Sequence, residues 1–261
     1  MYLPIPPQPD CASAWLEAVK QVNNQSGHEA HNVVIDVTGP TAGASPLHPI
    51  VARVNDLLVA HDKSVEAIAN TIFPWALYER YKMPAFIDAF HTRVLPRVRS
   101  NKRWSGYYFE RMTRMPVVGS DKPLDQLSRM VARINDKNNT SLNKHEISLF
   151  DPDRDVTGSP YGGQCLSFLS FHLKSAGSNA PKILLLTAQY RNHFYIEKLL
   201  GNLIGLGRLM AFVAAETGTK VGALTVLSTH AEVDTMKLSR QDIVKLIDAC
   251  SSTVGFMNSA A

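Results

Sequence analysis

The chain has 261 residues, 45 % of them hydrophobic, enough for one sizeable core. Its formal charge of +4 is spread along the sequence, which argues against a binder of nucleic-acid polymers and leaves room for a local anionic ligand. Cys11, Cys165 and Cys250 fall in no metal-ligand or paired spacing, as expected of a reduced, cytoplasmic protein, and the start MYLPIPPQPD is not that of a signal peptide. No uninterrupted apolar run approaches the length of a membrane span, so no membrane partner is expected.

In chain order, residues 1–10 are Pro-rich and extended. A short amphipathic helix is predicted over 11–24 through Trp15, Leu16, Val19 and Val22. Val33–Val37 has the composition of a strand, ended by Thr38-Gly39-Pro40, and TGPTAGASP is a loop. Helices are predicted over 49–61 and 64–73, the second with Ser64 as N-cap. Pro74 interrupts the pattern, and a further helix over 84–95 has Pro84 in its first turn. The most basic stretch follows, with Arg93, Arg97, Arg99, Lys102, Arg103, Arg111 and Arg114. It has the character of a solvated face, from which Arg97, Arg99 or Arg103 is available to a phosphate. A helix over 122–135, the polar turn DKNNTSLNK, a strand over 145–150 and a loop over 151–163 come next.

The stretch from Gly163 to Asp234 is the most informative. GQCLSFLSFHL and KVGALTVLSTHAEVD are short apolar runs of strand character, and ILLLTAQY is another. Between them Ile196, Leu199, Leu200, Leu203, Ile204, Met210 and Val213 recur at helical spacing, and Gly218-Thr219 closes that helix. Ser239 caps a last helix through Ile243, Leu246, Ile247 and Ala249. These elements make one α+β domain over 1–261, with residues 1–30 as an N-terminal extension and helix. Cys165, Arg191, Asn202 and His230 are carried on successive elements. Taken singly, Cys165 is as much a small buried hydrophobe as a nucleophile, and Cys11 and Cys250 belong to the first class. Arg191 alone would pass for a surface charge, and His230 is as easily structural as a ligand. Asn202 is harder to place as packing, because a buried amide must find partners. Gly201 and Gly205 fit close helix packing, and His145, His172 and His193 have no carboxylate or Cys at ligand spacing, so no metal is expected.

The order of these pieces resembles the thymidylate synthase and pyrimidine-nucleotide (dCMP or CMP) hydroxymethylase superfamily, over roughly residues 64 to 234. Cys165 in GGQCLSF matches its nucleophile, Arg191 in QYRNH its phosphate-binding Arg, and Asn202 in LLGNLIGL, eleven residues later, its base-reading Asn. His230 in LSTHAEV matches its sugar-binding His, KHEISLFDP its Trp-Asn-Pro segment, and SGYYFERM its Gly-x-Tyr-Gly segment, which brings in Tyr107 and Tyr108. The resemblance implies a thymidylate-synthase-like fold, with a mixed sheet flanked by helices and one long buried central helix. It implies methyl or hydroxymethyl transfer to C5 of a pyrimidine nucleotide monophosphate, with Cys165 adding to C6. Arg191 would pair the phosphate, Asn202 would read the base edge, and His230 would bond a sugar hydroxyl. Lys144 matches an Arg that crosses a dimer interface to the phosphate, so a homodimer is implied, and 5,10-methylenetetrahydrofolate is the implied carbon donor. The chain departs from the pattern at several positions. Asn192 replaces a Ser on the phosphate, Phe194 an Asp that holds the pterin, and Asn70 a proton-relaying Glu. Glu232 replaces the Tyr that shares the sugar, Asn143 a phosphate Arg, and Gln164 the Pro before the Cys. Two alternatives follow from these departures: a non-catalytic nucleotide-binding relative, and Cys-dependent one-carbon or aldehyde chemistry on another heterocycle.

Overall fold

The computed structural model describes residues 2–99, 107–156, 163–177 and 180–259, of which 254–259 are described by backbone alone. Lys102, Arg103 and positions 157–162 of the predicted loop lie outside the described residues. The strands are β1 (Leu3–Pro4), β2 (Glu29–Val37), β3 (Met115–Val117), β4 (Ser120–Leu124), β5 (His145–Ser148), β6 (Leu166–Lys174), β7 (Ile183–Tyr190), β8 (His193–Phe194) and β9 (Lys220–Glu232). The helices are α1 (Cys11–Asn23), α2 (Pro49–Val59), α3 (Val65–Ile72), α4 (Trp75–Tyr81), α5 (Ala85–Ala89), α6 (Leu95–Val98), α7 (Tyr108–Thr113), α8 (Gln126–Asn135), α9 (Pro152–Asp155), α10 (Leu200–Thr217) and α11 (Arg240–Ser259). A π-helical turn, Phe90–Val94, joins α5 to α6, and a second, Tyr195–Leu199, leads into α10.

Local chemistry explains most boundaries. Asp10 caps α1 by accepting from Ser13 N at 2.8 Å, and Ser64 caps α3 by accepting from Ala67 N at 3.0 Å. Each satisfies an N–H that the first helical turn leaves without a partner. Gly218, at φ 65°, ends α10 in the left-handed conformation, as its position in the sequence requires. Four expectations need correction. The predicted helix over 122–135 begins only at Gln126, because Asp125 caps it by accepting from Ser128 N. The residues before it, including Pro123, pair with β3 as an antiparallel ribbon. The strand predicted at Val33–Val37 starts four residues earlier, since Glu29–Asn32 is polar yet pairs with the end of β9. Cys165 sits one residue before β6 rather than inside it, and the expected strand over 145–150 stops at Ser148.

The principal sheet runs β1-β2-β9-β7-β6-β5, with β8 added to the end of β9. It is mixed: β1 with β2, β7 with β9 and β8 with β9 are parallel, and the other pairs antiparallel. One face buries Val33, Ile35 and Val37 of β2, Leu169, Phe171 and Leu173 of β6, Leu184 and Leu186 of β7, and Leu224 and Val226 of β9. Helix α1 contacts β2, and α10 contacts β7 and β9. α10 is apolar on every side and buried along most of its length, the pattern of a core helix. Tyr195–Thr217 is long and apolar enough to cross a membrane, but 78 % of its most apolar window is buried inside the fold. α3 crosses α10 at backbone contact. A Cβ on Gly201 would lie 2.6 Å from the Ile68 side chain, and one on Gly205 would lie 2.8 Å from Ala69 O. Beside this crossing Phe73, Tyr78, Phe86, Phe109 and Phe212 form an aromatic cluster with ring centres 4.9–5.9 Å apart in its contacting pairs. Burying such side chains contributes about 1.5–3 kcal/mol each. The packing clamps α10 beneath the sheet and fixes where β7 ends and β8 begins, the turn that carries Arg191.

Candidate functional site

The site begins with an ion pair. Arg111 of α7 is 2 % exposed and grips Asp155 of α9 with both terminal nitrogens, Nη2 donating to Oδ1 at 2.8 Å. Nη1 also donates to Leu149 O at 2.9 Å. The basic run was expected to be solvated, and Arg111 is the correction: its counter-charge lies 44 residues away and draws it inside. Asp155 accepts further from Asp151 N at 2.9 Å and from the backbone of Gln164. Burial opposes ionisation of Asp155, but the hydrogen bonds from Arg111 and the backbone outweigh it and hold the carboxyl below its usual range. This strut fastens both ends of the segment that delivers the chain to Cys165.

Cys165 and Arg191 are tied directly. Arg191 N donates to Cys165 O at 2.9 Å, and Arg191 Nε donates to Gln164 O at 3.1 Å. Gly163, at φ 73°, lets the chain pass so close that a Cβ would sit 3.3 Å from Arg191 Nη2. Cys165 is half-buried and Arg191 exposed. Burial raises the thiol above its ordinary value, while the positive fields of Arg191 and Lys198 pull it down. Tyr108, the first residue of α7, presents its phenol oxygen to the backbone amides of Cys165 and Leu166, and burial raises it. The half-buried Tyr107 packs its ring 6.1 Å from Phe90. Sequence reasoning missed Tyr190, which is fully buried, has a hydroxyl with no hydrogen-bond partner among the described residues, and lies close enough to feel Tyr108 and Cys165 electrostatically.

A second group lies directly under Tyr190. His193 stacks on the Tyr190 ring at 4.0 Å and 11°. Asn202 Nδ2 bonds His193 Nε2 at 3.0 Å, and His193 Nδ1 bonds Ser228 Oγ at 3.1 Å. Burial lowers His193 to about 3, so the ring is neutral at physiological pH. With the amide donating to Nε2, the proton sits on Nδ1 and is donated to Ser228. The buried amide of Asn202 therefore has its partner in an imidazole nine residues earlier. No spacing rule signals that pair.

His230 lies near the C-terminal end of β9, two residues past Ser228, the register partner of Tyr190. Its Nδ1 lies 2.6 Å from Asn192 Oδ1 and its Nε2 3.2 Å from Glu29 Oε2, with His31 5.1 Å away ring to ring. Phe194 and Glu232 are register partners in the β8–β9 pair beside it. Lys144 lines a separate cavity of about 220 Å³ with Arg129, Arg133 and Glu146 at the β5 edge. Asn70 is engaged with Arg208 of α10, accepting from Nη1 at 3.3 Å. Of the ten candidate site residues, the structure brings Cys165, Arg191 and Tyr108 together and places Asn202 one stacked layer below. Asn192 and His230 pair with each other at the β8–β9 end. Among the described residues no group of three or more His, Cys, Asp or Glu is placed to hold a metal ion.

Fold and site together define an α+β protein with a mixed sheet, one long buried helix and a half-exposed Cys–Arg pair at the entrance to β6. Neither the protein-family models nor the curated proteins compared with the chain give a match.

Proposed function

We propose that the protein transfers a one-carbon unit, as hydroxymethyl, to C5 of a pyrimidine nucleotide monophosphate through a covalent Cys165 adduct, on a divergent thymidylate-synthase-like fold. The observation that carries the reading is the Cys165–Arg191 pair: a half-buried cysteine whose backbone carbonyl accepts from Arg191 N, with the guanidinium opposing the rise that burial imposes on the thiol. Thiolate is the attacking form, and a fixed cation beside it raises the thiolate fraction. Arg191 also offers a planar fork suited to a phosphate. Addition of Sγ to C6 makes C5 nucleophilic. C5 attacks an aldehyde-level carbon, C5 then loses its proton, and Sγ leaves, which yields the hydroxymethyl product without a redox partner. Tyr108 stands beside the thiol as a proton-bearing group, and Asn202, with His193 and Ser228, supports the floor under Tyr190. The open side of the sheet supports the homodimer that this reading entails.

The residues do not fit a folate donor. Phe194 brings only a ring to the position of a pterin-binding acid, and Asn70 is committed to Arg208. No step is therefore assigned to a folate.

The test is mass spectrometry of intact protein incubated with 5-fluoro-dUMP or 5-fluoro-dCMP and an aldehyde-level donor. A covalent adduct on wild type and none on Cys165→Ala is the expected result. Turnover retained by Cys165→Ala would remove the covalent step. The second reading, a nucleotide-binding relative without catalysis, is favoured by one observation: the Asn202 amide nitrogen is already spent on His193. It predicts thermal stabilisation by UMP, dUMP, CMP or dCMP that persists in Cys165→Ala.

A further inference from the structure

We propose that the cavity between α4 and the α5–α6 segment is a second ligand site, built for a small molecule that carries a di- or triphosphate. It measures about 460 Å³, and Arg80, Tyr81, Arg93 and Arg97 line it above an apolar floor that includes Leu77 and Val94. The three guanidiniums can only donate hydrogen bonds. Tyr81 adds one more donor. Arg93 Nη1 donates to its phenol oxygen at 2.7 Å, so among the described residues the phenolic proton itself remains available to an acceptor. Arg80 and Arg93 each hold their guanidinium carbon 5.3 Å from the Tyr81 ring centre. Two of the three cations are thus pinned against one rigid ring.

Among the described residues these charges are also uncompensated. Other arginines have counter-charges, Arg99 with Glu110, Arg154 with Asp151 and Arg208 with Glu66. Among the described residues Arg80, Arg93 and Arg97 form no ion pair, and the nearest acids in sequence, Glu79 and Asp88, do not line the cavity. Arg80, Arg93 and Arg97 are exposed, and three like charges around one hollow attract a multivalent anion more strongly than a monovalent one. A phosphate chain presents more acceptor oxygens and more charge to the guanidinium forks than a single phosphoryl group does. The volume is that of a small-ligand pocket rather than a polymer groove, and the apolar floor suits the uncharged part of such a ligand. None of these residues belongs to the Cys165–Arg191 site, so the proposal stands apart from the one-carbon chemistry.

Isothermal titration of the full chain at fixed ionic strength, with inorganic tripolyphosphate, pyrophosphate and orthophosphate as probes, tests it. Tripolyphosphate is expected to bind once per chain and about tenfold or more tighter than orthophosphate. Binding should vanish in the Arg93→Gln/Arg97→Gln double variant and weaken in Arg97→Gln alone, which leaves the Arg93–Tyr81 contact intact and decides the matter if the double variant misfolds. Cys165→Ala and Arg191→Gln should bind as wild type does. Unchanged affinity in the Arg97→Gln variant, or orthophosphate binding as tightly as tripolyphosphate, overturns the proposal. Displacement by UMP coupled with loss of binding in Arg191→Gln would assign the anion to the other site and overturn it equally. A single-stranded oligonucleotide that outcompetes tripolyphosphate through these arginines would overturn the small-ligand class.

Discussion

The three thiols differ in burial, and that decides which one is reactive. Cys11 and Cys250 are fully buried, and Cys11 also donates to Pro40 O at 3.2 Å. Native protein treated with iodoacetamide is therefore expected to gain one carbamidomethyl group, at Cys165. Because burial holds that thiol above its ordinary value and Arg191 pulls it down, Arg191→Gln should shift the pH–rate profile to more alkaline pH and slow labelling at about pH 8. An unchanged or faster profile in the variant, read by intact mass over time, would show that the guanidinium does not act on the sulfur. The Arg111–Asp155 pair makes a different prediction at the same scale. Both side chains are 2 % exposed, and removing one partner of a buried pair costs about 3–5 kcal/mol, while replacing both by apolar residues costs much less. A urea-denaturation cycle of Arg111→Met, Asp155→Leu and the double variant should therefore be strongly non-additive. Additive losses would mean that the strut carries no coupling.

At the scale of the element, α10 is where close packing can be measured. A Cβ on Gly207 would come within 2.0 Å of Pro40 O, a backbone atom that cannot swing away. Gly207→Ala should therefore cost at least the upper part of the 1–3 kcal/mol that overpacking usually costs. Gly218→Ala meets nothing within 4 Å and keeps only the penalty of its φ of 65°, about 1–2 kcal/mol. Equal losses in thermal melts would contradict the close approach of α10 to the loop at Pro40. The same helix shows what the sequence could reveal. Its apolar period and closing glycine are local signals, and so are the apolar runs of β6, β7 and β9, so these elements were legible. The polar first half of β2 was not, because pairing with β9 is a long-range fact that leaves no alternation behind. The sequence pattern runs β4 into the following helix, because the stop is Asp125, a cap legible only once the turn before it is known. In the site, the Cys165–Arg191 pair was expected from their order along the chain. Three features were invisible for one reason: the burial of Arg111, the His193 partner of Asn202 and the unpartnered Tyr190 hydroxyl all depend on contacts between separate elements.

For the molecule as a whole, buried titrating groups set how stability responds to acid. Burial lowers His91 to about 4 and His193 to about 3, so between those values and the ordinary 6.5 the native state binds fewer protons than the unfolded chain. Stability from these groups is complete above about pH 6.5 and falls as pH drops. Asp234, buried and accepting from Ile196 N at 2.9 Å, is raised to about 6. Over roughly pH 4 to 6 it binds more protons in the native state and works in the opposite direction. The two histidines outweigh the one carboxyl, so the melting temperature should fall from pH 7 to pH 4.5. Asp234→Asn, which keeps an acceptor for the amide, should make that fall steeper; a shallower profile would reverse the assignment. The last consequence concerns the face of the sheet turned away from α10. There Phe168 is 37 % exposed, Ile183, Leu185 and Leu227 are only partly covered, and Thr187 and Gln189 are open to solvent. Gly222 of β9 lies beneath Ile183 and Leu185, where a Cβ would come within 2.5 Å, so these side chains lie against the neighbouring strand, with His172 and Lys174 as their register partners on β6. On the homodimer proposal this face meets a second copy of the chain, burying the same residues by two-fold symmetry. Light scattering on a sizing column should give twice the chain mass for wild type and the single chain mass for Leu185→Asp, with the variant still folded by circular dichroism. A wild type that elutes as one chain across the micromolar range would leave that face bare and end the dimer proposal.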